Sequence, residues 1–278
     1  MTIDPLEPIL ARAAQSIRAA DALLITAGAG IGVDSGLPDF RGPEGFWKAY
    51  PAIAKLGLSF SQMANPSWFE TDPALAWAFY GHRLNLYRRT VPHAGFQLLL
   101  QAAAQKPNGY FVFTSNVDGQ FQKAGFAPDR IVECHGSIHH LQCTQDCTGE
   151  IWEADGANIT VDEEIFRATG TLPRCKNCAE LARPNILMFG DAIWQSSRSN
   201  AQHENFDAWI RTLGTTSRLA IIEIGAGSAI PTVRSTSETV ATWTRGTLIR
   251  INPREPEVPR GHLSLPLNAA EGLRRILS

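Results

Sequence analysis

The 278-residue chain is 44% hydrophobic and 19% charged, which suits one full core or a large domain carrying a smaller one. Its net charge of -2 leaves no electrostatic case for binding nucleic acid or an anionic membrane. No run of about 18 apolar residues is present to span a bilayer, and Met1-Thr2-Ile3-Asp4-Pro5 has neither a basic leader nor an apolar stretch behind it, so a cytoplasmic location is the default expectation.

Ile9, Leu10, Ala13 and Ile17 fall at helical spacing and predict an amphipathic helix over 7–19. The apolar run Ala22-Leu23-Leu24-Ile25 reads as a buried parallel strand reaching Thr26 and handing over to Gly28, Gly30 and Gly32. Those glycines miss the dinucleotide pattern G-x-G-x-x-G, because Val33 stands where the third belongs. By themselves they mark a tight turn as readily as a phosphate loop. Pro38-Asp39-Phe40-Arg41 then interrupts where a dinucleotide-binding helix would normally run on.

From Gly45 to about Thr90 the sequence is helical but broken. Asn65-Pro66 and Asp72-Pro73 both read as helix starts, and Leu75, Phe79 and Leu86 mark one face of the second helix. With no strand between, 45–90 is expected to be a helical insertion beside the sheet. A helix over 92–105 leads to a second buried strand, Tyr110 to Thr114, and the polar loop Ser115-Asn116-Val117-Asp118-Gly119. A short helix, 121–125, and a short strand, 130–133, deliver Cys134-His135-Gly136. After residue 185 the rhythm returns as a strand from Leu219 to Ile224, ending in Gly225-Ala226-Gly227-Ser228. A helix over 231–245, a strand 247–251 ending at Asn252, a short strand 263–265 and a last helix 269–277 follow.

Residues 137–185 break this pattern and hold four paired cysteines, Cys143-x3-Cys147 and Cys175-x2-Cys178. In a cytosolic chain two such pairs in turn-rich sequence read as one tetrahedral zinc site; the competing readings are a redox pair or scattered core cysteines. With few long apolar runs, this segment is expected to lean on the metal for its stability. Cys134, apart from the others, reads as a small buried residue and not a nucleophile. Three strands end in glycine or polar loops and a fourth at Asn252. In an open parallel sheet such ends share one edge, where ligands bind.

Taken together, Gly28-Ala29-Gly30, Ser35-Gly36-Leu37-Pro38-Asp39-Phe40-Arg41-Gly42, Asn116-Val117-Asp118-Gly119, His135-Gly136, the cysteine pairs, Arg183-Pro184, Phe189-Gly190 and Asn252 resemble the sirtuins, NAD-dependent protein deacylases. The resemblance covers almost the whole chain and implies an α/β fold: a Rossmann-like NAD-binding sheet domain (1–44, 91–136 and 186–278), a helical module (45–90) and a zinc-binding module (137–185). It implies NAD as co-substrate, with Gly28, Ala29 and Gly30 under its phosphates, and Asp39, Phe40 and Arg41 in a cofactor-binding loop where Phe40 shields the reacting ribose. Asn116 and Asp118 would line the nicotinamide pocket, Gly225 and Ser228 would approach phosphate and ribose, and Asn252 the adenosine. His135 would be the general base, a role suited to an imidazole near neutral pH. The family's zinc is structural, and four thiolates leave no open position for water.

Tyr80 and Arg83, at i and i+3 of one helix, with Ala64 upstream, resemble the signature of sirtuins that remove succinyl and malonyl groups. A phenol and a guanidinium fork suit a carboxylate, and a small residue leaves room for a longer acyl chain. The plainer alternative is a tyrosine packed on the core and an arginine on a basic helix face with Arg88 and Arg89. The chain departs from the family at Ser115, at Gln120-Phe121, at Gly225-Ala226-Gly227 and in the Ile186-Leu187-Met188-Phe189 segment, features similar to those of a divergent microbial branch. The expected substrates are acyl-lysine proteins. A protein ADP-ribosyltransferase using the same site and an NAD-sensing module that hardly turns over are the alternatives.

Overall fold

The computed structural model describes residues 4–39, 46, 48–213 and 217–278. Helix α1 (Glu7–Ala19) buries Leu10, Ala13 and Ile17, the expected stripe. It leads into β1 (Ala22–Ala27), every residue of which is buried. After a 3-10 helix (Ala29–Ser35), the described residues up to Arg89 hold helices and no strand, among them α2 (Pro51–Lys55), α3 (Phe60–Met63), α4 (Trp68–Thr71) and α5 (Pro73–Arg89). Asp72 caps α5 by accepting from the Leu75 amide at 3.1 Å, with Pro73 in the first turn as its sequence predicts. The other expected start differs. Asn65 Oδ1 accepts from the Ser67 amide, making a side-chain turn that delays α4 to Trp68.

Helix α6 (Ala94–Ala104) precedes β2 (Tyr110–Thr114). The short helix α7 (Gln120–Lys123) then leads to β3 (Ile131–Glu133). The segment with the cysteines is a small antiparallel assembly. Strands β4 (Gly136–Cys143), β5 (Ile151–Glu153) and β8 (Ala182–Ile186) form one sheet, and β6 (Thr160–Asp162) with β7 (Arg167–Thr169) a hairpin. The chain then forms α8 (Ser197–Leu213), β9 (Leu219–Ile224), α9 (Thr232–Thr244), β10 (Thr247–Ile251), β11 (Leu263–Leu265) and α10 (Ala269–Leu277).

The main sheet has six parallel strands in the order β11-β10-β9-β1-β2-β3. Alternate residues feed two cores. Leu23, Ile25, Val112, Ile222 and Ile249 pack under α1, α6 and α10, whereas Leu24, Phe111, Phe113, Ile221 and Leu248 pack under α8 and α9. Strand order reverses between β1 and β9, the switch point at which open α/β sheets bind ligands.

A third core joins the helical insertion to the cysteine-bearing segment. Trp77, Phe79 and Leu84 of α5 share it with Leu141, Trp152, Ile159 and Phe166. Polar clamps reinforce the contact: Arg88 donates to the carbonyls of Ala157 and Ala154, both at 2.7 Å, and Asn85 to that of Ile159 at 2.8 Å. Beside the metal site expected to support 137–185, its scattered single apolar residues find a shared core with α5.

Candidate active site

Register determines where the loops emerge. Leu265, Ile251, Ile224, Ala27, Thr114 and Glu133 form one continuous row across the sheet. The next residues, beginning at Gly28, Ser115, Cys134, Gly225 and Asn252, leave together from the carboxyl edge. They open onto a cavity of about 800 Å³ whose far wall is made by the helical insertion.

The sheet side of the cavity carries Gly28, Ala29, Asn116, Asp118, His135 and Gly225. Two loops meet beneath it. A Cβ at Gly30 would lie 2.6 Å from the Gly225 Cα, and Gly225 itself has φ +62°, so these glycines are required by backbone contact and conformation. Gly30 consequently does not line the cavity, although Ala29 does. Asn116 is held by donating from Nδ2 to the Gly28 carbonyl at 3.0 Å, while its amide donates to Thr114 Oγ1. This bond couples the loop after β2 to the loop after β1.

Asp118 is buried, and burial raises its carboxyl to about 6 against the pull of the Gln120 amide that donates to it at 2.9 Å. His139 donates from Nε2 to the Asp118 carbonyl at 3.0 Å and so steadies this turn. His135 is half-buried. Loss of solvent lowers its pKa below the usual histidine value, with a hydrogen bond to the Ser115 backbone opposing. It is thus a neutral imidazole at physiological pH, able to accept a proton. Cys134 beside it is buried, its thiol pushed up to about 12 by desolvation, which suits a core residue.

Asp39 lines the cavity and pairs with Arg254 at 3.6 Å; Phe40 and Arg41 lie outside the described residues. Ser228 and Asn252 do not line the cavity. The Ser228 amide donates to Glu255 Oε2 at 2.8 Å, whereas Asn252, fully buried, donates to the Ala226 carbonyl and accepts from the amides of Arg254 and Glu255. Glu255, which lines the cavity and accepts from Arg234, carried no signal in the sequence pattern.

Ala64, Tyr80 and Arg83 line the far wall. All three are buried, which excludes the surface-arginine reading. Tyr80 Oη is buried with no hydrogen-bond partner among the described residues, a costly state for a phenol unless a ligand completes it. The Arg83 guanidinium lies 5.2 Å from the Phe79 ring centroid and 5.6 Å from those of Tyr80 and Tyr87. The Leu187–Phe189 segment leaves β8 at the cavity mouth, and the Phe189 amide donates to the Ala64 carbonyl at 2.9 Å.

Some distance in sequence from this cavity, the sulfur atoms of Cys143, Cys147, Cys175 and Cys178 all lie within 4.8 Å of one another. The closest pairs stand 3.5 and 3.6 Å apart. Zinc–thiolate bonds of about 2.3 Å in a tetrahedron place sulfurs about 3.8 Å apart, so the donor set fits zinc and is too wide for disulfides. Residues Cys143 and Cys178 thereby tie the β4–β8 sheet to its connecting turns.

Residues 28–220 match the model of the Sir2 family. An NAD-dependent protein deacylase of Deinococcus radiodurans is 29% identical over 273 residues, covering 96% of this chain and 98% of that protein. NAD-dependent protein deacylase 2 of Pseudomonas aeruginosa is 30% identical over 217 residues, covering 77% and 78%. Among solved structures, a Sir2 homologue–NAD complex superposes with a TM-score of 0.68 at 24% identity, covering 96% of this chain and 92% of the other, which establishes likeness of fold.

Proposed function

The chain belongs to the Sir2 family, and on that premise we propose that it is an NAD-dependent protein lysine deacylase, cleaving NAD to nicotinamide and passing the acyl group of a substrate lysine to ADP-ribose. The observation that carries this reading is the convergence of Asn116, Asp118 and His135 on one cavity with the backbone loops at Gly28 and Gly225.

In this reading the phosphates of NAD lie against the loop containing Gly28, Ala29 and Gly30 and that of Gly225, near the sheet's switch point. Asn116 and Asp118 flank the nicotinamide, with Asp118 accepting from the carboxamide. The acyl oxygen of the substrate displaces nicotinamide at the anomeric carbon. His135 then removes a proton from a ribose hydroxyl, which attacks the acyl-bearing carbon; the lysine amine leaves with a proton, and water adds to the acyl-bearing carbon, whose bond to one ribose oxygen breaks so that the acyl group remains as an ester on the other. Asp39, Phe40 and Arg41 belong to the loop covering the cofactor. Ser228 and Asn252 serve the adenosine end by shaping the loop there. Zinc, held by the four cysteines, is structural.

The substrates are acylated-lysine proteins, and the acyl group is one ending in a carboxylate as well as acetyl. The buried Tyr80 hydroxyl beside Arg83, without a hydrogen-bond partner among the described residues, supports that choice. The sheet (1–44, 91–136 and 186–278), helical (45–90) and zinc (137–185) parts act as one catalytic unit, working in the cytoplasm. No helix among the described residues is long and apolar enough to cross a membrane.

The test is incubation with NAD and either an acetyl- or a succinyl-lysine peptide, following peptide mass and nicotinamide release. Deacylation with O-acyl-ADP-ribose is the expected outcome. ADP-ribose added to protein, or saturable NAD binding without nicotinamide release, overturns the proposal.

A further inference from the structure

A guanidinium can meet a carboxylate through either of two edges, Nε with one Nη or the two terminal Nη groups. Which edge Arg83 presents decides how an acyl carboxylate is received. Its ring contacts with Phe79, Tyr80 and Tyr87 hold the group between aromatic faces, yet stacking tolerates rotation within the guanidinium plane. A directional bond is needed to fix that rotation.

Tyr87 supplies one. Arg83 donates from Nε to Tyr87 Oη at 3.1 Å, with both residues buried. We propose that Tyr87 is a positioning residue for acyl selectivity: by engaging Nε it turns the terminal edge of Arg83 toward the acyl carboxylate. The inference rests on the carboxylate-acyl reading above and adds to it a residue outside the Tyr80-x-x-Arg83 combination.

Three further features agree with the assignment. Tyr80, Arg83 and Tyr87 are spaced i, i+3 and i+7 on α5, one helical face, and all three line the cavity. Burial raises the pKa of the Tyr87 phenol, so it stays protonated and meets Nε as a neutral acceptor. Its backbone is tethered as well: Gln120 Nε2 donates to the Tyr87 carbonyl at 3.4 Å, and the Gln120 amide donates to the Asp118 carboxylate. The residue that sets the acyl wall is thus joined to the turn that carries Asp118.

Tyr87→Phe keeps the ring and its stacking and deletes one acceptor. With succinyl- and acetyl-lysine peptides of identical sequence, the succinyl-to-acetyl ratio of kcat/KM should fall about tenfold, chiefly through KM for the succinyl peptide. An unchanged ratio in Tyr87→Phe, where the unaltered protein favours succinyl peptide relative to Arg83→Met, overturns the positioning role alone. If the unaltered protein shows no such preference, the carboxylate reading fails and the positioning role with it. A second measurement needs no folded variant at Tyr87. In the unaltered protein the Arg83 Nε–H resonance, assigned by its loss in Arg83→Met, should exchange slowly with or without succinyl peptide, while the terminal Nη signals shift on peptide addition. Fast solvent exchange at Nε overturns the proposal.

Discussion

The two walls of the cavity are built on different principles. The sheet wall is fixed by strand register, with a core on each face and every loop leaving from one row of paired residues. The opposite wall is fixed by side-chain packing between α5 and the cysteine-bearing segment, helped by Arg88, Asn85 and the thiolate cluster. Residues assigned to the chemistry come from the first wall, and residues assigned to acyl choice from the second. A register-fixed edge holds reacting groups to a geometry that cannot drift one residue at a time. A packed helix face can be refashioned by single substitutions, which suits selectivity.

The sharpest way to test this division is to remove chemistry without disturbing either wall. His135→Ala should lower deacylation by at least about 10²-fold, with NAD binding and melting temperature held. Activity that survives would move the base elsewhere. Removing zinc attacks the other wall. After chelation, amide protection should fall across 137–185 and along α5 while β1, β2 and β9 stay protected, with deacylation lost because half the cavity is gone. Simultaneous loss of protection in the main sheet would show the walls to be one cooperative unit.

Smaller effects should follow from changes within one wall. Arg83→Met should weaken desuccinylation selectively by about 10- to 100-fold, the range for a hydrogen bond to a charged group. Equal loss on acetyl and succinyl peptides would mean that Arg83 shapes the cavity as a whole. The mildest test is pH. Because burial raises Asp118 to about 6, falling pH should protonate its carboxylate around that value. At one unit below that value only about one carboxylate in ten remains charged. KM for NAD should therefore rise below about pH 6, and Asp118→Asn should remove that bend. A profile falling in kcat alone would break the assignment.

Much of this was legible in the sequence because the sheet writes itself in runs. Tyr110–Thr114, Leu219–Ile224 and Thr247–Ile251 are mostly apolar strands, broken only by the paired Glu223 and Arg250, whose ends carry the glycines and polar residues. Helix α8 was not read, since its first half is polar and its buried contacts are concentrated at Phe206, Trp209, Ile210 and Leu213. The cysteine pairing was legible from spacing, whereas the shared core was not: Trp152, Ile159 and Phe166 are isolated in sequence and meet α5 only through the fold. Tyr87 and Glu255 escaped notice, and His139 was left out of the site, for the same reason. Each acts through a partner distant in sequence or on another turn, such as the Asp118 carbonyl for His139 and the Ser228 amide for Glu255.

The row from Leu265 to Glu133 also sets how such a protein can vary. Inserting one residue inside β9 would advance Gly225 by about 3.3 Å and exchange the two faces of that strand, so the strand itself is closed to length change. One residue beyond the row, the same insertion would leave every strand's register intact and fall on one loop and the neighbours it touches. The carboxyl edge thus behaves as a fixed frame carrying interlocked loops: the frame must keep count, and a loop can be exchanged only if it keeps its contacts with its neighbours, as at Gly30 and Gly225 or Asn116 and Gly28.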